Sequence, residues 1–188
     1  MRQIVIAGAA GGLAVFFWGF LSWTVFHFSA PFTHQFANED AVAAALAEGA
    51  DGSGFYLLPG MAGPDGEMLT EKEWWERVER MPYAAVMLHP GGVTPNPGLM
   101  LPRGLVIEFL AALLIAWVVS RTGPSAAFGE RLKIAVAMSL FAGLVGPMIA
   151  WNFMSFPRDW SMFLVLDTLV SWTICGAVVA ALMKPASD

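Results

Sequence analysis

A chain of 188 residues that is 57% hydrophobic and 13% charged is too apolar for an ordinary soluble domain, in which about 25% of residues carry charge. Its mean hydropathy is +0.61 and its formal net charge is −5; an acidic chain repels phosphate, which excludes nucleic-acid binding. A single cysteine, Cys175, permits neither an intrachain disulfide nor a CxxC or CxxCH motif, so covalent c-type haem is excluded as well.

Four runs approach or exceed the roughly 18 apolar residues of a membrane-crossing helix. They are residues 4–26, 104–120, 132–151 and 161–183. The predicted fold is therefore a mainly α membrane protein with four transmembrane helices and a small α+β insertion after the first. The expected boundaries are a first helix at 1–28, an extracytoplasmic cap at 29–102 and a second helix at 103–120. A cytoplasmic loop at 121–131, a third helix at 132–151, an outer loop at 152–160, a fourth helix at 161–184 and a cytoplasmic tail at 185–188 complete the chain.

The first run opens with glycines after a short apolar stretch, as a dinucleotide-binding fingerprint would. The apolar run instead continues through Phe20, and the first acid is Glu39. Gly8 and Gly12 read better as a GxxxG pair that lets a second helix approach closely. A cleaved signal peptide fits poorly, because the run is long and Phe28-Ser-Ala30 is a weak cleavage site.

The insertion is the water-facing part of the chain. It carries ten acids against Lys72, Arg77, Arg80 and, at its edge, Arg103, a net of −6. Asn38 followed by Glu39 and Asp40 marks a helix start, and Gly49 marks its end. Residues 53–58 and 83–89 read as short strands, and the stretch between Met61 and Leu69 as loop. Thr70-Glu-Lys-Glu73 is a capping box opening a helix over 71–80, with Trp74, Trp75 and Val78 as its expected buried face. Residues 90–98 are too rich in proline and glycine for regular structure.

Basic residues set the expected orientation. Arg2, Arg121, Arg131, Lys133 and Lys184 flank one set of helix ends, which puts both termini and the 121–131 loop in the cytoplasm. Trp23, Phe26, Phe28 and Phe32 at one outer end, with Trp151, Phe153, Phe156 and Trp160 at another, form the expected aromatic belt. Pro147 should kink the third helix, and Ala142 and Gly146 form a second small-xxx-small pair.

Two carboxylates fall inside apolar runs, where a charge is costly and commonly has a partner or a task. Glu108 lies five residues after Arg103, and Asp167 six after Ser161, which puts both about 7–10 Å inside their runs from the outer end. One reading is a polar proton or cation site open to the outside, with Asp167, Ser171 and Cys175 on one helix face. The other is a network tying the helices to Arg103, Arg158, Asn152 or His27. His27, His34 and His89, with Glu39 or Asp40, are the only candidate metal ligands, and their spacing matches no metal motif. No HExxH, GxSxG or P-loop occurs, so no catalytic residue and no cofactor is predicted.

In Asn38-Glu-Asp-Ala-Val, Gly54-Phe-Tyr-Leu-Leu-Pro-Gly60, His89-Pro-Gly-Gly92 and Trp151-Asn-Phe-Met-Ser-Phe-Pro157, the chain resembles a group of small bacterial four-helix membrane proteins. These carry an extracytoplasmic insertion after the first helix. The resemblance implies that topology and a bacterial inner-membrane location, and it carries over no activity. The functional expectation is a non-enzymatic accessory or scaffolding subunit of an inner-membrane complex, with respiratory and photosynthetic complexes as settings. Its expected partners are the lipid bilayer, other membrane subunits and a basic extracytoplasmic protein that would meet the acidic cap. The alternative is a small transporter or ligand-binding membrane protein using Glu108 and Asp167.

Overall fold

The structure is a computed structural model describing residues 1–123 and 125–183. Lys184 and the 185–188 tail, invoked above for orientation, lie outside the described residues. The chain divides into two compact units, Met1–His34 with Asn96–Asp188, and Gln35–Pro95.

The first unit holds four helices long and apolar enough to cross a membrane: Arg2–Val25, Pro97–Val119, Phe128–Met154 and Arg158–Leu182. The first is α1 (Arg2–Phe20), prolonged by a π-helical turn over Leu21–Val25. The second is α4 (Pro97–Val119). It begins several residues before the expected 103, inside the stretch thought too rich in proline. Pro97 sits at the first turn, where a missing N–H costs nothing and the fixed φ suits a helix. Pro102 is carried farther inside it.

The third crossing is α5 (Phe128–Gly143) and α6 (Ile149–Met154), joined by a π-helical turn over Leu144–Met148. Pro147 sits in that turn, so the predicted disturbance takes the form of a wider turn inside a continuous crossing. Ser155, in the left-handed conformation, ends α6. The fourth crossing is α7 (Arg158–Leu182).

Helix α1 packs against α4 and α7, α7 also packs against α5, and α4 meets α5 and α7 only slightly. Between helices in lipid there is little hydrophobic drive, and close van der Waals approach of small residues takes over; these apolar helices pack by the same kind of contact. The three extensive interfaces are built that way. A Cβ on Gly8 would fall 3.0 Å from Leu113 Cα, and one on Gly12 would fall 2.9 Å from Phe109 Cα. Gly11 sits against Cys175 and Val179, and Gly176 against Ala135. Ala7, Ala112, Ala116, Val119, Ala135 and Val179 are among the other residues of the buried core.

The second small pair does not act in the same way. Nothing lies within 4 Å of a Cβ on Gly146, and Ala142 is exposed. The neighbouring Gly143 makes the contact instead, with Val165 at 3.4 Å. One residue is 100° of helix, so a correct small-residue signal can point to the wrong face.

The second unit contains α2 (Glu39–Glu48), β1 (Gly54–Leu58), α3 (Glu71–Val78) and β2 (Ala84–Leu88). The strands pair antiparallel, with Tyr56 opposite Val86 and Phe55 opposite Met87. Asn38 caps α2 through the Ala41 N–H, and the Thr70–Glu73 capping box is formed as its sequence requires. Trp74 is half-buried and donates Nε1–H to the Pro59 carbonyl, but Trp75 is 50% exposed and not part of a buried face. The loop between the strands is more ordered than its composition suggests. Ala62 bridges Met68, and Arg77 donates to the Ala62 carbonyl at 2.9 Å.

Candidate functional site

The polar groups among the apolar helices gather where α1, α4 and α7 meet. Asp167 lies on the α7 face that also carries Ser171 and Cys175, at spacings of one and two helical turns. That face looks onto α1, where Cys175 meets Gly11 and Asp167 meets Ser22. Ser22 donates its hydroxyl to Asp167 Oδ1 at 3.1 Å, and Trp23 donates Nε1–H to Oδ2 at 3.2 Å. Each carboxylate oxygen thus has one donor, both supplied by the π-helical end of α1. Ser22 and Trp23 are consecutive residues of that π-helical turn, a rare element frequent at functional sites.

Aromatic rings close over this pair. Trp23 meets Phe163 edge-on at 5.5 Å and Trp160 at 6.2 Å, and Phe32 stacks on Phe163 at 5.0 Å. Of the eight residues of the expected aromatic belt, Trp23, Phe32 and Trp160 come together at Phe163 of α7, while Phe26 and Phe28 pair with each other and Phe153 is exposed. Ser161, at the same end of α7, is buried and its hydroxyl has no partner.

Glu108 has different surroundings. It lies eleven residues after the start of α4, about 16 Å along the helix, farther from the helix start than the roughly 7–10 Å that a start at 103 implied. Its backbone carbonyl faces Gly12, and its side chain reaches toward Gly19, where a Cβ would lie 4.0 Å from Oε1. Oε2 is sealed from solvent and accepts no hydrogen bond. Trp18 Nε1 on α1 is also sealed without a partner.

The structure does not join the two carboxylates through the expected arginine network. Asp167 takes its donors from Ser22 and Trp23, while Arg103, Arg158 and Asn152 are exposed. Among the described residues no hydrogen bond links Glu108 to Asp167. His27 turns its Nδ1 toward the Val25 carbonyl, His89 pairs with Ser53, and His34 is exposed. No group of three or more His, Cys, Asp or Glu side chains able to hold a metal occurs among the described residues.

No sequence motif marks Ser22 and Trp23 as the partners of Asp167. The available signal was weak but present: Ser22 and Thr24 are the only hydroxyls in the first apolar run. Gly11 and Gly176 were likewise not distinguished from the other glycines.

A second feature lies between α4 and α5. An apolar groove of about 560 Å³ opens there, walled by Leu114 and Ile115 on one side and Met138 and Phe141 on the other, with Trp172 of α7 behind. No family model matches the chain, and no curated protein or solved structure matches it either.

Proposed function

We propose that this chain is a multi-pass, non-enzymatic accessory subunit of a bacterial inner-membrane complex, working through the outward faces of its helices. The supporting observation is how little of the third and second crossings the chain covers itself. Within their most apolar windows only 17% of α4 and 17% of α5–α6 is buried, against 28% in α1 and α7. Val106, Ile107, Leu110 and Leu114 form an exposed stripe on α4 at helical spacing. The basic residues at the 121–131 loop and the acidic 29–102 insertion support an orientation with the termini inside and the insertion outside. The insertion's acidity suits a basic extracytoplasmic partner.

The test is purification in mild detergent with a cross-linker placed at Ile107→Cys on α4. Stoichiometric chains cross-linked at that position support the reading. A monodisperse particle containing this chain alone, with no heterologous cross-link in native membranes, sinks it.

One observation favours a second reading. A carboxylate oxygen that is buried and unpartnered within an apolar helix suits a proton or cation site at Glu108. A hydrophobic carbodiimide reacts with protonated carboxyls in membranes and should label Glu108 but not Glu108→Gln. Absence of that labelling in native membranes removes this reading.

A further inference from the structure

The groove between α4 and α5 has two distinguishable ends. On α4, Ala111, Leu114 and Ile115 line it, and Arg121 stands in the turn two residues past the end of that helix, its N–H bonded to the Val118 carbonyl. On α5, Ala137 and Met138 line it, and one turn before Ala137 on the same edge stands Lys133. Both cations lie outside the groove lining, at the ends of α4 and α5 nearest the 121–127 loop, and both are exposed. The Arg121 guanidinium is stacked 4.8 Å from the centre of the Trp117 ring, which holds it along the helix. The one carboxylate in that loop region, Glu130, is turned back to accept the Ala127 N–H as part of a cap.

We propose that this groove, with Arg121 and Lys133 at its mouth, binds one anionic phospholipid from the leaflet on the side of the 121–127 loop. The phosphate lies between the two cations, and one acyl chain lies along the groove toward Phe141 with Trp172 at its floor. Hydrocarbon alone gains little by leaving the bilayer for an apolar groove, because both surroundings are apolar. The paired cations at one end supply the selectivity, as basic pockets between membrane helices do for acidic headgroups. A partner helix would meet the same apolar walls but would have no use for two cations at one end unless it brought an acid to that point. The proposal rests on the bilayer placement above and not on the subunit reading.

The experiment uses the purified full chain in neutral detergent. Phosphatidylglycerol or phosphatidylcholine with the same acyl chains is added, and bound lipid is counted by native mass spectrometry alongside thermal unfolding. One retained phosphatidylglycerol and a raised melting temperature are expected, with phosphatidylcholine giving neither. Arg121→Gln with Lys133→Gln should weaken retention roughly thirtyfold, as expected for losing two headgroup cations. Arg121→Lys should keep it, which shows that loss is not misfolding. Ala137→Phe, which fills the groove and leaves both cations, should also weaken retention.

Equal retention of the two lipids overturns the proposal, as does full retention in the double variant. Millimolar inorganic phosphate that matches the stabilisation also overturns it, because the groove would then play no part. A lone chain that binds phosphatidylglycerol selectively leaves this site intact while counting against the subunit reading. A chain that stays soluble without detergent removes the bilayer placement itself.

Discussion

Asp167 and Glu108 are chemically alike and sit on apolar helices, yet their neighbours give them different roles. Asp167 accepts a hydrogen bond on each oxygen, and both donors come from α1, so it ties the first crossing to the last. Interhelical hydrogen bonds of this kind average roughly 0.6 kcal/mol and reach about 1.7 kcal/mol. A double-mutant cycle of Ser22→Ala with Asp167→Asn should accordingly give a coupling of about 1 kcal/mol in detergent unfolding. A coupling indistinguishable from zero would show that the pair does not stabilise the helices.

Glu108 has no such pair. Its buried oxygen is unsatisfied, so Glu108→Leu should raise stability by about 1 kcal/mol, the order expected when an unmatched polar group is removed. A destabilised Glu108→Leu would mean that the carboxylate already has a partner.

The elements show where small residues matter. Gly12 lies against the backbone of Phe109 and not against a flexible side-chain tip, so an added side chain has nowhere to go. Gly12→Val should cost about 1–3 kcal/mol by overpacking, whereas Gly146→Val should be near neutral because open space surrounds it. Thermal unfolding of the two variants checks the contrast, and equal losses would contradict the interface described.

In the insertion, α3 is held at its start by a reciprocal cap. The Thr70 hydroxyl and the Thr70 N–H both donate to Glu73 Oε2, at 2.6 and 2.9 Å. These bonds favour the charged form and hold the Glu73 carboxyl below the usual carboxylate range. A carboxyl with a depressed folded pKa stabilises the fold above its unfolded pKa, and that contribution is lost as pH falls through the depressed value. An NMR titration should place the Glu73 midpoint below 4.5 in the native chain and higher in Thr70→Ala. Identical midpoints would mean that the cap does not form in solution.

At the scale of the whole molecule, three sides of the helical unit are closed by small residues and the fourth is open. That asymmetry carries both the subunit reading and the lipid site. The orientation is tested separately, on intact cells. If the proposed orientation holds, Ser125→Cys in the 121–127 loop should resist an impermeant thiol reagent, and Gly66→Cys in the insertion should react. Native Cys175 is buried and should stay silent. Reaction at Ser125→Cys with protection at Gly66→Cys would invert the proposed topology.

What the sequence alone determined is the part of the fold governed by local composition. Four apolar runs sufficient to cross a bilayer, the Asn38 and Thr70 caps, the two short strands and the Gly8–Gly12 face are all readable from neighbours in the chain. Each depends on helical or strand periodicity and on one residue's intrinsic chemistry. Only the tertiary structure decided which faces meet. It paired Asp167 with Ser22 and Trp23 across a separation of 145 and 144 residues, and left the arginines exposed. It replaced Ala142 and Gly146 by Gly143 as a packing site, and moved Glu108 to the middle of a longer helix. The physical reason is that these uniformly apolar helices have no polar stripe to announce an inward face. Their rotation is set by small-residue contacts and a few polar pairs, which involve residues far apart in the chain.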